Sequence, residues 1–139
     1  MMADQGAALV KRWFDEVWTQ GKAASIDELM SPGCVVHGLN ARTLDKAGFK
    51  EFHAAYRNAF PDVKITVDQA VSEGDMVAVR WSGTGTHKGD GLGFAATNKP
   101  AQFTGMTFVR IQNGKLVEGW NIFDQLAMFT QLGVVQLPV

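Results

Sequence analysis

The dipeptide Asn113-Gly114 constrains the fold of this chain more than any other sequence feature. It lies between two segments in which apolar and polar residues alternate, residues 101–112 and 115–123. Asparagine and glycine both tolerate the positive φ angles of a type I′ turn, so this dipeptide is typical of a two-residue β-hairpin. The sequence therefore predicts an antiparallel sheet that contains this hairpin, with Gln112 paired with Lys115.

The register of the hairpin assigns its side chains to two faces of the sheet, because successive strand residues point to opposite sides. With regular pairing, Met106 lies opposite Asn121, whereas Trp120 points away from them. A bulge at Gly105 would reverse part of this assignment. The residues predicted to share this face are Asn121, Met106, Phe108 and Gln102.

Both faces of the predicted hairpin are largely apolar. A sheet that is covered by helices on one side needs only one apolar face. The second face is most simply covered by another copy of the chain. We therefore predict a homodimer that forms through the outer face of the sheet.

The rest of the chain adds helices on one side of this sheet. Apolar residues recur at helical spacing from Leu9 to Trp18 and from Phe49 to Phe60, and a short helix is indicated around Leu29. Three further strands are predicted at residues 34–37, 63–72 and 76–86, with a polar connection after the first and a short helix over 125–132 at the end. This order indicates one α+β domain over residues 1–139, with a curved, mostly antiparallel sheet.

The glycine-rich segment 87–100 is longer than an ordinary hairpin loop. It is predicted to be either a functional flap or a strand extension that is interrupted by bulges.

Composition excludes several classes of function. The net charge is −1 with both signs interspersed, so we expect neither nucleic acid nor a membrane surface as a partner. The chain has no signal-like start and no apolar run long enough to span a bilayer, so a cytoplasmic location is expected. A single cysteine, Cys34, and three histidines without metal-ligand spacing predict neither a disulfide nor a metal site.

Several short motifs occur in a characteristic order along nearly the whole chain. Together they resemble the SnoaL-like polyketide cyclase family of the NTF2-like superfamily. The motifs are VKRWFDEVW at 10–18, FKEF at 49–52, AFPDV at 59–63, VAVRW at 77–81, GTHKG at 85–89, KLVEGWN at 115–121, Asp124, and QLG at 131–133.

This resemblance implies an NTF2-like cone, in which three N-terminal helices pack on a strongly curved sheet, with a short helix at the C-terminus. It also implies a deep apolar cavity, a dimer, and no metal or organic cofactor. Cyclases of this type close a ring by intramolecular aldol condensation, with one carboxylate as general acid and base. That carboxylate follows the tryptophan of the KLVEGWN motif, at the position where this chain has Asn121. An amide cannot abstract a proton, so the reaction class stays open.

Four polar residues are candidates for catalysis. Asn121 is either an oxyanion-binding or ligand-orienting group or a structural amide. Asp124 is either an acid or the N-cap of the last helix. His37 is either a base that replaces the missing carboxylate or a core or rim histidine, and His87 is either a lid residue over the cavity or an exposed loop histidine.

A second group of residues is predicted to contact the ligand. Arg80 and Trp81 alternate on one strand, so one of them points inward, and Arg80 is either an anion anchor or a surface ion-pair residue. The aromatic and histidine candidates are alternatively core or interface residues. The complete set is Arg80, Trp81, Gln102, Met106, Phe108, Trp18, His53 and Tyr56.

The favoured function is therefore a cofactor-independent acid/base enzyme, a cyclase, isomerase or dehydratase, that acts on a hydrophobic oxygenated ligand such as a polyketide or a steroid-like compound. One alternative is a non-catalytic small-molecule-binding module. Another is an epoxide hydrolase or ketosteroid isomerase type of enzyme, although inward-facing carboxylates are scarce. A titratable side chain at the cavity with a shifted pKa would distinguish catalysis from binding.

Overall fold

The computed structural model describes residues 3–138 of the 139-residue chain, and side chains from residue 5 onward. The helices are α1 (Ala3–Trp13), α2 (Ala23–Leu29), α3 (Lys46–Ala59) and α4 (Gln125–Gln131), and a π-helical segment, Phe14–Thr19, continues α1 directly. The strands are β1 (Met30–Leu39), β2 (Arg42–Leu44), β3 (Lys64–Glu73), β4 (Met76–Thr86), β5 (Pro100–Gln112) and β6 (Lys115–Phe123).

The described strands form one six-stranded sheet in the order β2-β1-β6-β5-β4-β3. Strands β1 and β6 pair in parallel, and every other neighbouring pair is antiparallel. The predicted α+β class and the mostly antiparallel sheet are therefore confirmed.

Strand β2 is absent from the prediction, which had a polar connection there. A turn at Asn40 and Ala41, with φ angles of 53° and 57°, reverses β1 into β2. Alanine rarely adopts a positive φ, so this turn carries no sequence signature comparable to Asn-Gly.

Helices cover one face of the sheet and form the core with it. Apolar residues of α1, the π-helical segment and α3 pack against the side chains that the strands direct toward them. Examples of these fully or nearly buried residues are Val10, Phe14, Val17, Phe49, Val79 and Val109. Helix α4 closes the end of the sheet with the buried side chain of Met128.

The hairpin turn forms as predicted. Asn113 and Gly114 have φ angles of 53° and 72°, and Gln112 pairs with Lys115. The next pair, Ile111 with Leu116, also follows the regular register, but the prediction is wrong from Arg110 onward, because Arg110 pairs with Glu118 and not with Val117.

Val117 is therefore an extra residue in β6, a bulge that shifts the rest of the strand by one position. Asn121 pairs with Thr107, and Met106 pairs with Ile122. The bulge thus lies at Val117 and not at Gly105, where the sequence allowed one.

The shift reverses the predicted face of β5. Phe103, Val109 and Ile111 are buried under the helices, whereas Met106 and Phe108 are 62% and 54% exposed on the outer face. The prediction that Met106, Phe108 and Gln102 face the cavity is wrong, because the bulge puts Asn121 on the same face as the odd-numbered residues of β5.

The glycine-rich segment 87–100 is a loop that packs on the C-terminal end of α3, and the predicted strand extension is wrong. The backbone N–H groups of Lys88 and Gly89 donate to Ala59 O at 2.9 and 3.3 Å, which satisfies a carbonyl that the helix end leaves without a partner. A Cβ atom at Gly89 would collide with the backbone oxygen of Asn58, so the close approach of loop and helix requires glycine there.

Within the described residues, no helix is both long enough and apolar enough to cross a membrane.

Candidate functional site

A cavity lies between the helices and the inner face of the sheet. Its volume is about 100 Å³, comparable in order of magnitude to an engineered apolar cavity of roughly 150 Å³ that binds benzene. Aromatic and aliphatic side chains dominate its wall. The lining residues are Trp13, Phe14, Trp18, Met30, Cys34, Val36, Leu39, Phe49, Phe52, Tyr56, Phe60, Val63, Ile65, Trp81, Phe103, Thr107, Val109, Leu116, Glu118, Gly119, Asn121 and Phe123.

A chain of hydrogen bonds holds Asn121 at the wall of this cavity. Trp81 Nε1 donates to Thr107 Oγ1 at 3.1 Å, and Thr107 Oγ1 donates to Asn121 Oδ1 at 2.9 Å. Asn121 Nδ2 in turn donates to the backbone oxygen of His37 at 3.3 Å. The predicted cavity position of Asn121 is thus observed, although its neighbour across the hairpin is Thr107 and not Met106.

Thr107 is a site residue that the sequence did not identify. Thr107 is 7% exposed, and its hydroxyl group connects Trp81 with Asn121 through hydrogen bonds. The available signal was a hydroxyl residue within an apolar alternation, but regular hairpin pairing placed that residue on the outer face.

The side chain of His37 lies on the outer face of the sheet and not in the cavity. His37 is opposite Trp120 in the parallel pair of β1 and β6, and the two rings stack with centroids 5.4 Å apart. Its Nε2 lies 2.7 Å from Glu118 Oε2, and its Nδ1 lies 3.4 Å from Thr43 Oγ1. The prediction that His37 supplies a base to the cavity is therefore inconsistent with its position.

Asp124 is the N-cap of α4, as one of the two predicted roles required. Its Oδ1 accepts a hydrogen bond of 2.9 Å from the backbone N–H of Ala127. Its side chain is exposed and is not part of the cavity wall.

His87 is fully buried, so it is neither a lid over the cavity nor an exposed loop residue. Its Nδ1 accepts a hydrogen bond of 3.0 Å from the backbone N–H of Thr97, which joins the two ends of the glycine-rich loop. Its ring packs between Phe60 and Phe94, with centroids 5.5 and 5.0 Å away, and Phe60 is the residue that lines the cavity.

The predicted ligand-contacting residues divide into three groups. Trp18, Tyr56 and Trp81 line the cavity. His53 is buried behind the wall, where Nε2 bonds to Val17 O at 2.7 Å. The side chains outside the cavity on the outer face of the sheet are Arg80, Gln102, Met106 and Phe108.

Arg80 forms the surface ion pair that was its alternative role. Its Nη1 lies 3.7 Å from Asp68 Oδ2, and its side chain is about half exposed.

Burial favours the neutral forms of two titratable groups that line the cavity, the Cys34 thiol and the Tyr56 phenol. Burial raises the pKa of the Cys34 thiol to about 11, and the neighbouring charge of Glu118 adds to this effect. Burial also raises the pKa of Tyr56 to about 12, against a smaller opposing effect of the hydrogen bond that Gln125 Nε2 donates to its hydroxyl oxygen. Among the described residues, Glu118 is the single carboxylate residue of the wall, and its Oε2 is engaged by His37.

No group of three or more histidine, cysteine, aspartate or glutamate side chains within residues 5–138 could hold a metal ion.

Comparisons with known proteins assign most of the chain to one family. A family model of SnoaL-like polyketide cyclases matches residues 8–132 of this chain. Among curated proteins, no sequence matches it.

Many solved structures have the same fold. The structure of IdmH from Streptomyces antibioticus, described as a candidate polyketide cyclase, is 29% identical with a TM-score of 0.80, over 94% of this chain and 99% of IdmH. That of AclR from Streptomyces galilaeus, described as a candidate hydroxylase, is 24% identical with a TM-score of 0.87, over 98% of this chain and 89% of AclR.

A third structure connects the fold to ketosteroid isomerases. It is a protein from Catenulispora acidiphila with a ketosteroid isomerase-like fold, 16% identical with a TM-score of 0.77, over 94% of this chain and 97% of that protein. AclR and this protein show the fold alone. Together the three confirm the predicted NTF2-like fold.

Proposed function

Because this chain belongs to the SnoaL-like polyketide cyclase family, we propose that its cavity binds a hydrophobic, oxygenated small molecule of polyketide type. The observation that carries the proposal is the composition of the cavity wall, which is aromatic and aliphatic except for a few polar groups around Asn121 and Tyr56. Such a wall stabilises a bound ligand by removing its apolar surface from water, at about 25 cal/mol per Å². The few polar groups orient the ligand.

The side chains at the cavity support binding more than acid/base catalysis. Asn121 has no proton-accepting group that titrates. The Cys34 thiol and the Tyr56 phenol would be neutral near pH 7 even when exposed, and burial raises both pKa values further from neutrality. Glu118 already pairs with His37 on the other side of the sheet. Among the described residues of the wall, the thiol and the phenol are therefore poor bases near pH 7, and the one carboxylate is already engaged outside the cavity.

Ligand binding is tested with a compound that fits an apolar cavity of this order of size. We expect the bicyclic ketone 1-indanone and the hydrocarbon indane to bind saturably, as measured by isothermal titration calorimetry. Filling the cavity from Gly119, which lines it, should weaken this binding, because a Cβ atom there has its nearest neighbours at the ordinary contact distances of 3.7 and 4.0 Å. Gly119→Val should weaken both ligands by about tenfold or more, equivalent to 1.4 kcal/mol.

The matched control is Gly33→Val, also in a strand, where no heavy atom lies within 4 Å of a Cβ and the residue does not line the cavity. This variant should bind both ligands like the unmodified protein. Absence of binding by the unmodified protein at millimolar ligand, or equal affinities for the two valine variants, would refute a ligand site in this cavity.

Catalysis is the second candidate function, and the family match over residues 8–132 favours it. The reaction would be a cyclisation, isomerisation or dehydration in which the Asn121 amide stabilises a developing oxyanion while solvent acts as the base. The test is turnover of an aromatic polyketide ester by the unmodified protein, compared with Asn121→Leu. A rate equal to that in buffer alone for both proteins leaves binding as the function. Epoxide hydrolase and ketosteroid isomerase chemistry are less favoured, because both need an inward-facing carboxylate.

We also propose that a second copy of the chain covers the outer face of the sheet. Support comes from a row of side chains in register across the strands. Val71 pairs with Ala78, Ala78 with Phe108, Phe108 with Trp120, and Trp120 with His37. Together with Met106 and Ile122 in the next row, these residues expose a contiguous apolar surface of the kind that marks interaction sites.

A further inference from the structure

We infer that Thr107 is a positioning residue that makes the cavity select ligands with a hydrogen-bond acceptor oxygen, such as a ketone, ester or quinone carbonyl. It does so by holding Asn121 with an N–H group free for the ligand. This inference rests on the proposed function, because it requires a ligand in the cavity. It adds the chemical class of the group that lies against Asn121.

The direction of the hydrogen bonds is fixed at Trp81, where the series of bonds begins. The indole nitrogen of Trp81 can only donate, so Thr107 Oγ1 must be the acceptor of this bond at 3.1 Å. The hydroxyl proton of Thr107 is then free for Asn121 Oδ1, which lies 2.9 Å away. Because Thr107 is buried, its hydroxyl proton cannot form a hydrogen bond with bulk water instead of with Asn121.

The direction is also fixed at the backbone carbonyl of His37, where the series of hydrogen bonds ends. The backbone carbonyl of His37 can only accept, so the amide group of Asn121 must turn its nitrogen toward it, at 3.3 Å. A flipped amide would place two oxygens against each other and remove the acceptor of the Thr107 proton. The two ends together determine which atom of the amide is the oxygen.

What remains of Asn121 for a ligand follows from this direction. The amide nitrogen carries two protons, of which His37 O takes one, and the other makes no hydrogen bond to a described residue. Oδ1, in contrast, already accepts the proton of Thr107 and offers only its second lone pair. A ligand carbonyl therefore satisfies a free donor, whereas a ligand N–H or O–H must share an engaged oxygen.

Three bicyclic ligands of similar size separate these effects. 1-Indanone carries an acceptor, indane carries neither donor nor acceptor, and indole carries a donor. For the unmodified protein, we expect calorimetry to show 1-indanone binding about tenfold more tightly than indole, because burying an unpaired donor has a cost of this order. Indane measures the affinity that the apolar wall alone provides.

Variants of Thr107 test its part in this preference. Thr107→Val keeps the shape but removes the hydroxyl, which frees Asn121 Oδ1 to accept from indole. It also leaves Trp81 Nε1 without its acceptor, which favours 1-indanone, so the decisive quantity is the ratio of the indole and indane affinities, which should rise about fivefold or more. Thr107→Ser keeps the hydroxyl and should restore the ratio of the unmodified protein. A residue with a merely structural role would change all three affinities alike and would leave the ratio unchanged.

The outcomes distinguish this inference from the proposed function. If indane and indole bind as tightly as 1-indanone to the unmodified protein, the cavity is a ligand site but the acceptor preference is wrong. If none of the three ligands binds, the proposed function fails, and the inference fails with it. If Thr107→Val does not fold, Thr107→Ala removes the same hydroxyl, and an unchanged ratio in that variant would overturn the positioning role of Thr107.

Discussion

At the residue scale, the chemistry of the cavity depends on the environment of Asn121. The carbonyl of His37 and the hydroxyl of Thr107 belong to the two strands that flank β6, so the amide bridges three strands. An aspartate at this position would have the same neighbours. One of its oxygens could accept the hydrogen bond from Thr107, but the other would lie against the backbone oxygen of His37. That oxygen is itself an acceptor, so it forms a hydrogen bond only with the protonated, neutral carboxyl group.

We predict that Asn121→Asp has a carboxyl pKa above the usual value of about 3.9, because desolvation and the His37 carbonyl both oppose the ionised form. The folded variant then binds more protons than the unfolded chain above pH of about 3.9. Its stability is therefore highest at low pH and falls as the pH rises toward the folded pKa. The loss is about 1.4 kcal/mol for each pH unit that separates the folded and unfolded pKa values.

Urea unfolding at a series of pH values measures this effect. The matched control is Asn98→Asp, at an exposed loop position, which should follow the pH dependence of the unmodified protein. Identical pH profiles for the two aspartate variants would place residue 121 in a solvent-like environment and contradict its position at the cavity.

At the element scale, local signals were predictable and the bulge was not. Asn113-Gly114 sets its turn, and Asp124 caps α4, through atoms within three residues along the chain, so the sequence is sufficient for both. The bulge at Val117 shifts the pairing of β5 and β6 by one residue, so the faces of the two strands match differently on its two sides. Valine is common at any apolar strand position, so nothing in the sequence marks the bulge. Met106 and Thr107 were consequently assigned to the wrong sides, while Asn121 was assigned correctly.

The π-helical segment after α1 is another element without a sequence signature. Two backbone carbonyls near its end, those of Val17 and Trp18, receive hydrogen bonds from His53 Nε2 at 2.7 Å and Arg57 Nη1 at 3.0 Å on α3. These bonds attach the segment to α3 beside the cavity, because Trp18 lines the wall. The role of His53 is therefore to support the wall from behind.

We predict that His53 makes stability depend on pH. Burial lowers its pKa, so the folded state binds fewer protons than the unfolded chain, and its contribution is present above pH of about 6.5 and lost as the pH falls below that value. His53→Gln can donate the same bond without titrating, so it should lack this part of the acid destabilisation in urea unfolding between pH 8 and 5. His53→Leu should lose about 1–3 kcal/mol at pH 8. Equal pH profiles for the unmodified protein and His53→Gln would show that His53 is not the responsible group.

At the scale of the whole molecule, the fold class could be predicted because it follows from the order of elements, which tolerates local errors. The omission of β2 and the displacement of one strand face left the α+β assignment unchanged. The positions of side chains that depend on packing between distant elements were harder to predict from the sequence. His87 lies at the start of a glycine-rich loop, where exposure is the ordinary expectation, but the loop folds back on α3 and buries it completely.

The outer face of the sheet leads to the last prediction, a dimer in solution. Phe108 is at the centre of the apolar row and 54% exposed, so a dimer through this face would bury it in both copies. Light scattering at micromolar concentration should give twice the chain mass of 15.1 kDa. Phe108→Glu should give a folded monomer, because the substitution introduces like charges that lose water at the interface while touching little of the core.

The matched control is Val135→Glu, which introduces the same charge at an exposed residue beyond α4 and should leave the dimer intact. A monomeric mass for the unmodified protein would remove the dimer altogether. A dimeric Phe108→Glu would move the interface to another surface. If the prediction is correct, dimerisation also encloses Trp120 and the His37–Glu118 pair, so His37, which was a candidate base for the cavity, instead helps to hold two copies of the chain together.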